Sequence, residues 1–101
     1  MLAGHSDTVP FDAGRWNSDP LKLSERDNRL YGLGTSDMKG FFPLALAAAA
    51  NCSAMDLKAP ITLIATADEE STMAGARALL KTQIHQARAV IIGEPTSLRP
   101  I

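Results

Sequence analysis

The sequence has a single cysteine, Cys52, among 101 residues. No disulfide can form within the chain, and the expected place for a lone thiol is a small, buried apolar site. No apolar run approaches the roughly 20 residues that a membrane-spanning helix needs. No basic stretch leads into an apolar one in the manner of a secretory signal. Positive charge is not in excess: ten Lys and Arg face eleven Asp and Glu, for a formal net charge of −1 at pH 7. That balance argues against the basic face of a nucleic-acid-binding domain. Also missing are internal repeats, a Gly-x-Ser-x-Gly nucleophile elbow, a Cys-x-x-Cys pair and the GxxxxGK[ST] spacing of a phosphate loop. These absences favour a soluble, cytoplasmic protein with no nucleic-acid or membrane partner. The chain is 46% hydrophobic and 21% charged, which is globular composition, and its length suits one domain or part of one.

Residues 61–67 form a continuous apolar and β-branched run behind Pro60, expected as a strand buried on both faces. Residues 89–92 read as another buried strand, ended by Gly93 and Pro95. Between them, residues 73–83 are rich in Ala, Leu, Arg and Lys and predict a helix. A strand, a helix and a strand at these lengths make a βαβ unit, so the sheet is expected to be at least partly parallel. Residues 38–50 predict an earlier helix, apolar nearly all round and so largely buried. Pro43 falls near its start, where a missing N–H costs little. Residues 2–4 look like the end of a strand. Residues 9–28 read as loop with one short extended piece at Leu21-Lys22-Leu23, and residues 30–34 are too glycine-rich to assign as a strand.

The chemistry-bearing residues follow these elements. His5 and Asp7 come after the first strand, Asp37 precedes the first helix, Asp68, Glu69 and Glu70 follow the 61–67 strand, and Glu94 follows the last. In an open α/β sheet, functional residues gather beyond the carboxyl ends of the strands. One imidazole and several carboxylates brought together there would suit a divalent cation. Each acid also has a plainer explanation. Asp37 is a good helix N-cap, Asp7 a turn residue, the acidic triplet a solvated turn and Glu94 a surface turn. Adjacent acids repel, and a cation would offset that repulsion while leaving one carboxylate free to take a proton. His85 is expected at a solvent-facing helix end, and Trp16 beside Arg15 as a packing anchor in a polar loop.

Residues 2–10 (LAGHSDTVP), 32–40 (GLGTSDMKG), 66–70 (TADEE) and 92–96 (IGEPT) resemble the metal-site motifs of the M20 family of co-catalytic zinc peptidases and deacylases. Phe41-Phe42, residues 73–77 and residues 96–100 are most similar to a deacetylase branch within it. The resemblance implies an α/β fold, part of a three-layer α/β/α zinc-peptidase catalytic domain with a mostly parallel central sheet. Residues 1–101 would be its central part. The start of that domain, its C-terminal part and an inserted lid or dimerisation domain would lie outside. It further implies that His5 and Glu94 bind one metal, Asp37 bridges two, Glu70 binds the second, Glu69 is the general base on a metal-bridging water, and Asp7 orients His5. Two Zn²⁺ per full-length subunit are implied, with Co²⁺ as a substitute, and a homodimeric parent acting on a small N-acyl amino acid.

The implied reaction removes the acetyl group from N2-acetylornithine to give ornithine and acetate, a step of arginine biosynthesis. Desuccinylation of succinyl-diaminopimelate, aminoacylase or carboxypeptidase activity would be alternatives within the family, and a non-catalytic metal-binding remnant an alternative outside it. The family's further histidine ligand to the second metal is not among these residues. The 101-residue chain alone is therefore expected to hold one ion weakly and to be inactive.

Overall fold

The computed structural model describes residues 1–53, 55–82, 86–97 and 99. Its elements, in chain order, are β1 (Leu2–His5), a 3-10 turn (Ala13–Arg15), β2 (Ser24–Arg26), β3 (Arg29–Tyr31), α1 (Phe41–Ala50), β4 (Leu63–Thr66), α2 (Ala74–Leu79) and β5 (Ile91–Ile92). The expected α/β class with a parallel sheet is what forms. Three strands lie in the order β4-β1-β5. β1 pairs in parallel with β4 from Leu2↔Leu63 to His5↔Thr66, and with β5 at Leu2↔Ile91 and Ala3↔Ile92. The β4–α2–β5 crossover therefore does not join neighbouring strands. It straddles β1, and all three strands point the same way.

Between β1 and α1 the chain makes an antiparallel hairpin of β2 and β3. Its two turn residues, Asp27 and Asn28, have φ of 52° and 57°, the left-handed values that a tight two-residue hairpin turn requires and that Asp and Asn tolerate well. The hairpin corrects two expectations. Leu21-Lys22-Leu23 is turn and irregular chain rather than extended, and Arg29–Tyr31 is a strand despite the glycines that follow it. The Arg26 guanidinium lies 4.8 Å from the centroid of the Tyr31 ring, a cation–π contact across the hairpin.

Helix α1 starts later than expected, with Gly40 as its N-cap, and Pro43 does fall in the first turn. It is not buried all round. It packs on β1 along one side, where Ala45 is buried, while Leu44 and Leu46 face outward. Strand β4 alternates in the same way: Ile64 is buried, and Leu63 and Ala65 are exposed, because only one of its faces is covered. Strand β5 is shorter than the apolar run and exposed. Helix α2 ends at Leu79, with turn following, and the expected helix end at Gln83 and His85 lies outside the described residues. Cys52 is exposed rather than buried. It sits just past α1, with its thiol directed to the Ala48 carbonyl at 3.4 Å. Among the described residues, the buried apolar side chains are Met38, Ala45 and Ile64, and His5 is buried with them.

Candidate metal centre

His5 ends the central strand, so the turns after β4 and β5 fall on either side of it. Its side chain is only 2% exposed. One ring nitrogen, Nδ1, lies 3.1 Å from the Asp7 backbone carbonyl and 3.5 Å from Asp7 Oδ1. The other, Nε2, faces Asp37 Oδ1 at 3.2 Å, Glu94 Oε1 at 3.7 Å and Glu69 Oε2 at 3.9 Å. An oxygen of Glu70 completes a set with His5 and Asp37 whose ligand atoms all lie within 4.8 Å of one another. The structure thus brings together all six residues singled out as site residues: His5, Asp7, Asp37, Glu69, Glu70 and Glu94.

Each acid is delivered by local chain geometry. After β4, Asp68 takes φ of 63°. Its carboxylate accepts hydrogen bonds from the hydroxyls of Ser71 and Thr72, and its carbonyl accepts from the amides of Thr72 at 3.2 Å and Met73 at 2.6 Å. This turn carries Glu69 and Glu70. A further bond from the Gly75 amide to the Ala67 carbonyl, 3.1 Å, ties the start of α2 to the end of β4. The Glu70 amide donates to Asp7 Oδ2 at 3.0 Å, joining the turn after β1 to the turn after β4.

Asp37 sits in a loop closed by the Thr35 hydroxyl on the Gly32 carbonyl, 2.9 Å, and by the Gly40 amide on the Gly34 carbonyl, 3.0 Å. The Asp37–Met38 peptide is cis. Asp37 does not cap α1, whose N-cap is Gly40. Glu94 leaves the sheet directly after β5.

The electrostatics of the cluster are those of a site with too much negative charge. Burial alone would push the His5 imidazole down. The Asp7 carbonyl and the carboxylates of Glu94, Glu69 and Asp7 outweigh burial and hold it above its ordinary value. Glu94 is pushed up by burial first and then by Asp37, Glu69 and Glu70, with His5 opposing. Asp7 is raised by burial, but the backbone amides of Glu70 and Glu69 more than offset this and leave it below its ordinary value. Asp68 is held low by the Ser71 and Thr72 hydroxyls. Among the described residues, no hydrogen-bond donor reaches the buried Asp7 Oδ1.

The donor set fits a divalent ion. An imidazole and carboxylate oxygens at close mutual range are the ligands that zinc and other borderline divalent ions take. A cation would offset both the burial that chiefly raises Glu94 and the repulsion that adds to it. The close backbone carbonyl partner at His5 Nδ1 is the kind that fixes the tautomer of a ligating histidine.

The roles of two contributors were not read from the sequence. Asp68 builds the turn that carries Glu69 and Glu70, and the hydroxyl residues three and four positions after it are the signal for that. Met38 lies against His5, fully buried, and its place in the 32–40 motif gave no sign of that contact.

Parallel strand ends that gather one imidazole and several carboxylates define an α/β domain with a candidate divalent-metal site. The chain belongs to peptidase family M20/M25/M40, whose family model matches residues 1–101, as its motifs led us to expect. It is 57% identical over its 101 residues to an acetylornithine deacetylase of Salmonella typhimurium (strain LT2), covering all of this chain and 26% of that protein. The acetylornithine deacetylase of Klebsiella pneumoniae (strain 342) matches at the same identity and coverage, and that of Salmonella paratyphi B at 56%. The chain spans about a quarter of the length of these curated relatives. Among the described residues, no helix is long and apolar enough to cross a membrane.

Proposed function

We propose that this chain is the central part of the catalytic domain of a metal-dependent N-acyl amino acid deacetylase. In the full-length polypeptide it would act on N2-acetylornithine to give ornithine and acetate, within arginine biosynthesis. The observation that carries the reading is the convergence on His5 Nε2 of Asp37 at 3.2 Å, Glu94 at 3.7 Å and Glu69 at 3.9 Å, with Glu70 in the same cluster. The 57% identity to acetylornithine deacetylases over every residue of the chain supports the choice of substrate. A cytoplasmic homodimer is the setting we propose for it.

His5 and Glu94 would hold one ion, Glu70 a second, and Asp37 would be shared between them; Zn²⁺ is the proposed metal, with Co²⁺ able to replace it. Bound there, the pair would supply Lewis-acid polarisation of the acetyl carbonyl and lower the pKa of water towards about 7. Glu69 is the base. It takes the proton of the attacking water, the amide C–N bond breaks, and the same carboxyl returns the proton to the departing amine nitrogen. Asp7 acts from behind His5. Its carbonyl holds Nδ1, leaving Nε2 as the ligating atom, and its carboxylate anchors the Glu70 amide at 3.0 Å.

The test is Glu69→Gln in the full-length polypeptide that carries this segment. Turnover of N2-acetylornithine should fall by about 10²–10⁴-fold, the usual worth of a general base, while metal content by elemental analysis stays the same. Loss of metal together with turnover would make Glu69 a ligand. Retained turnover would sink the mechanism.

A further inference from the structure

The backbone of His5 presents a problem that the sheet does not solve. β1 is the central strand and needs acceptors on both sides. Towards β4 the supply continues to its end, with the Leu2 amide on Thr62 O and the Ser6 amide on Thr66 O, both at 2.8 Å. Towards β5 the ladder runs out. The Ile91 amide reaches Met1 O at 3.0 Å and the Gly93 amide reaches Ala3 O at 3.4 Å, after which the chain leaves the sheet to bring Glu94 to His5 Nε2. In a regular parallel ladder of this register, the His5 amide would find the Gly93 carbonyl. It donates instead to the thioether of Met38, with N···Sδ at 3.2 Å. Both side chains are fully buried, so an amide without an acceptor here would carry its whole desolvation penalty.

We propose that Met38 is a positioning residue for His5. Its sulfur replaces the strand acceptor that is lost when β5 diverges, and so fixes the backbone from which the imidazole projects. Thioether sulfur is a weak acceptor, but it is the one supplied at this buried amide. Asp37, next in the chain, faces Nε2 at 3.2 Å, so one dipeptide grips His5 at both its amide and its ring. Gly4 provides the space: a Cβ there would stand 2.5 Å from Met38 Cε and 3.1 Å from Sδ. The proposal rests on the reading of His5 as an ion ligand.

The experiment compares acceptor-free replacements of similar volume in the full-length polypeptide that carries this segment. These are Met38→Leu, and norleucine in place of methionine throughout. The norleucine replacement is repeated in the Met38→Leu background to subtract the other methionines. [15N]Histidine labelling reads hydrogen exchange at the His5 amide in metal-free protein, and competition titration reads Zn²⁺ affinity. Exchange about 10-fold faster or more is expected, with affinity weaker by about 10–100-fold, the range for groups that support a ligand from behind. The thermal unfolding temperature should fall only modestly, by the cost of one buried amide left without an acceptor. Should Met38→Leu fail to fold, the norleucine protein, which keeps the side chain's shape, decides. Exchange and affinity both within twofold of the unsubstituted protein would overturn the proposal, leaving Met38 as filler. Faster exchange with unchanged affinity would overturn it too, because the sulfur would then hold the backbone without placing the ring. If the unsubstituted protein binds no ion, the metal-centre reading fails and the proposal fails with it, although the exchange rate still tells whether the hydrogen bond exists.

Discussion

The carboxyl ends of the three parallel strands and the apolar surfaces beside them are built to different standards. At the strand ends, His5 and Met38 are 2% and 0% exposed, and hydrogen-bonded turns carry Asp7, Asp37, Glu69 and Glu70. A short way off, Leu44 and Leu46 on α1 and Ile91 and Ile92 on β5 are 71%, 58%, 61% and 60% exposed. Polar groups are better enclosed here than many aliphatic ones. Within this segment the acids are placed by turn chemistry and strand register. Parallel sheets are ordinarily covered on both faces; among the described residues, apolar side chains on one face of this sheet are exposed.

The comparison can be attacked from both sides. The largest effect belongs to His5→Ala in the full-length polypeptide. Removing the group that Asp37, Glu69 and Glu94 all face should weaken Zn²⁺ binding by more than about 100-fold, beyond what losing a supporting group costs, as read by competition with a chelator. A fall of less than tenfold would mean that the carboxylates alone make the site.

A smaller effect is expected at the turn. Asp7 and Asp68 have lowered folded values, so the stability they contribute is present at neutral pH and is lost as pH falls below their ordinary 3.8 and through those values. Glu94, with a raised value, runs the other way: its contribution is present below its ordinary 4.5 and is lost as pH rises through the folded value. Replacing Ser71 by Ala and Thr72 by Val should return Asp68 towards its ordinary value. Carbon-13 NMR titration of the carboxyls in metal-free protein measures this directly, and an unmoved Asp68 would show that the two hydroxyls do not set the turn.

The smallest effect is expected on the open face. Leu44→Ser should change unfolding free energy by no more than about 0.5 kcal/mol, as surface substitutions do, in a denaturant titration. A loss of about 2 kcal/mol or more would reveal that further chain covers α1, and would dissolve the contrast between the two regions.

Much of the site could be read because its signals are short-range. A strand followed within a few residues by an acid or histidine is visible as an apolar run with a charged end, and four such runs carried His5, Asp37, Glu70 and Glu94 together. The parallel sheet was visible for the same reason, from the βαβ spacing. Burial was not. An apolar run such as residues 44–50 looks the same whether one side or every side is covered, so α1 and β5 were expected to be more enclosed than they are. The hairpin was hidden by weak propensity. Arg29–Tyr31 becomes a strand because Asp27 and Asn28 fold it back onto β2, not because its residues prefer extension. Cys52 follows the same rule, since its exposure is decided by the end of α1 rather than by the chemistry of its thiol. Met38 escaped notice because an acceptor for one particular amide is a property of three-dimensional register.

The order β4-β1-β5 has a consequence for how such a site can change. Neighbouring strands sit about 4.8 Å apart because peptide hydrogen bonds hold them there, so the sheet serves as a ruler whose divisions no side chain can alter. The donors at its end are spaced by that ruler. A one-residue slip of β4 against β1 would turn its alternate side chains to the opposite face and carry the Glu69–Glu70 turn out of step with His5. Variation is therefore cheap in the loops that leave the sheet and ruinous in its register. A lineage built on this frame would be expected to diversify its substrates long before it altered the spacing of its ligands.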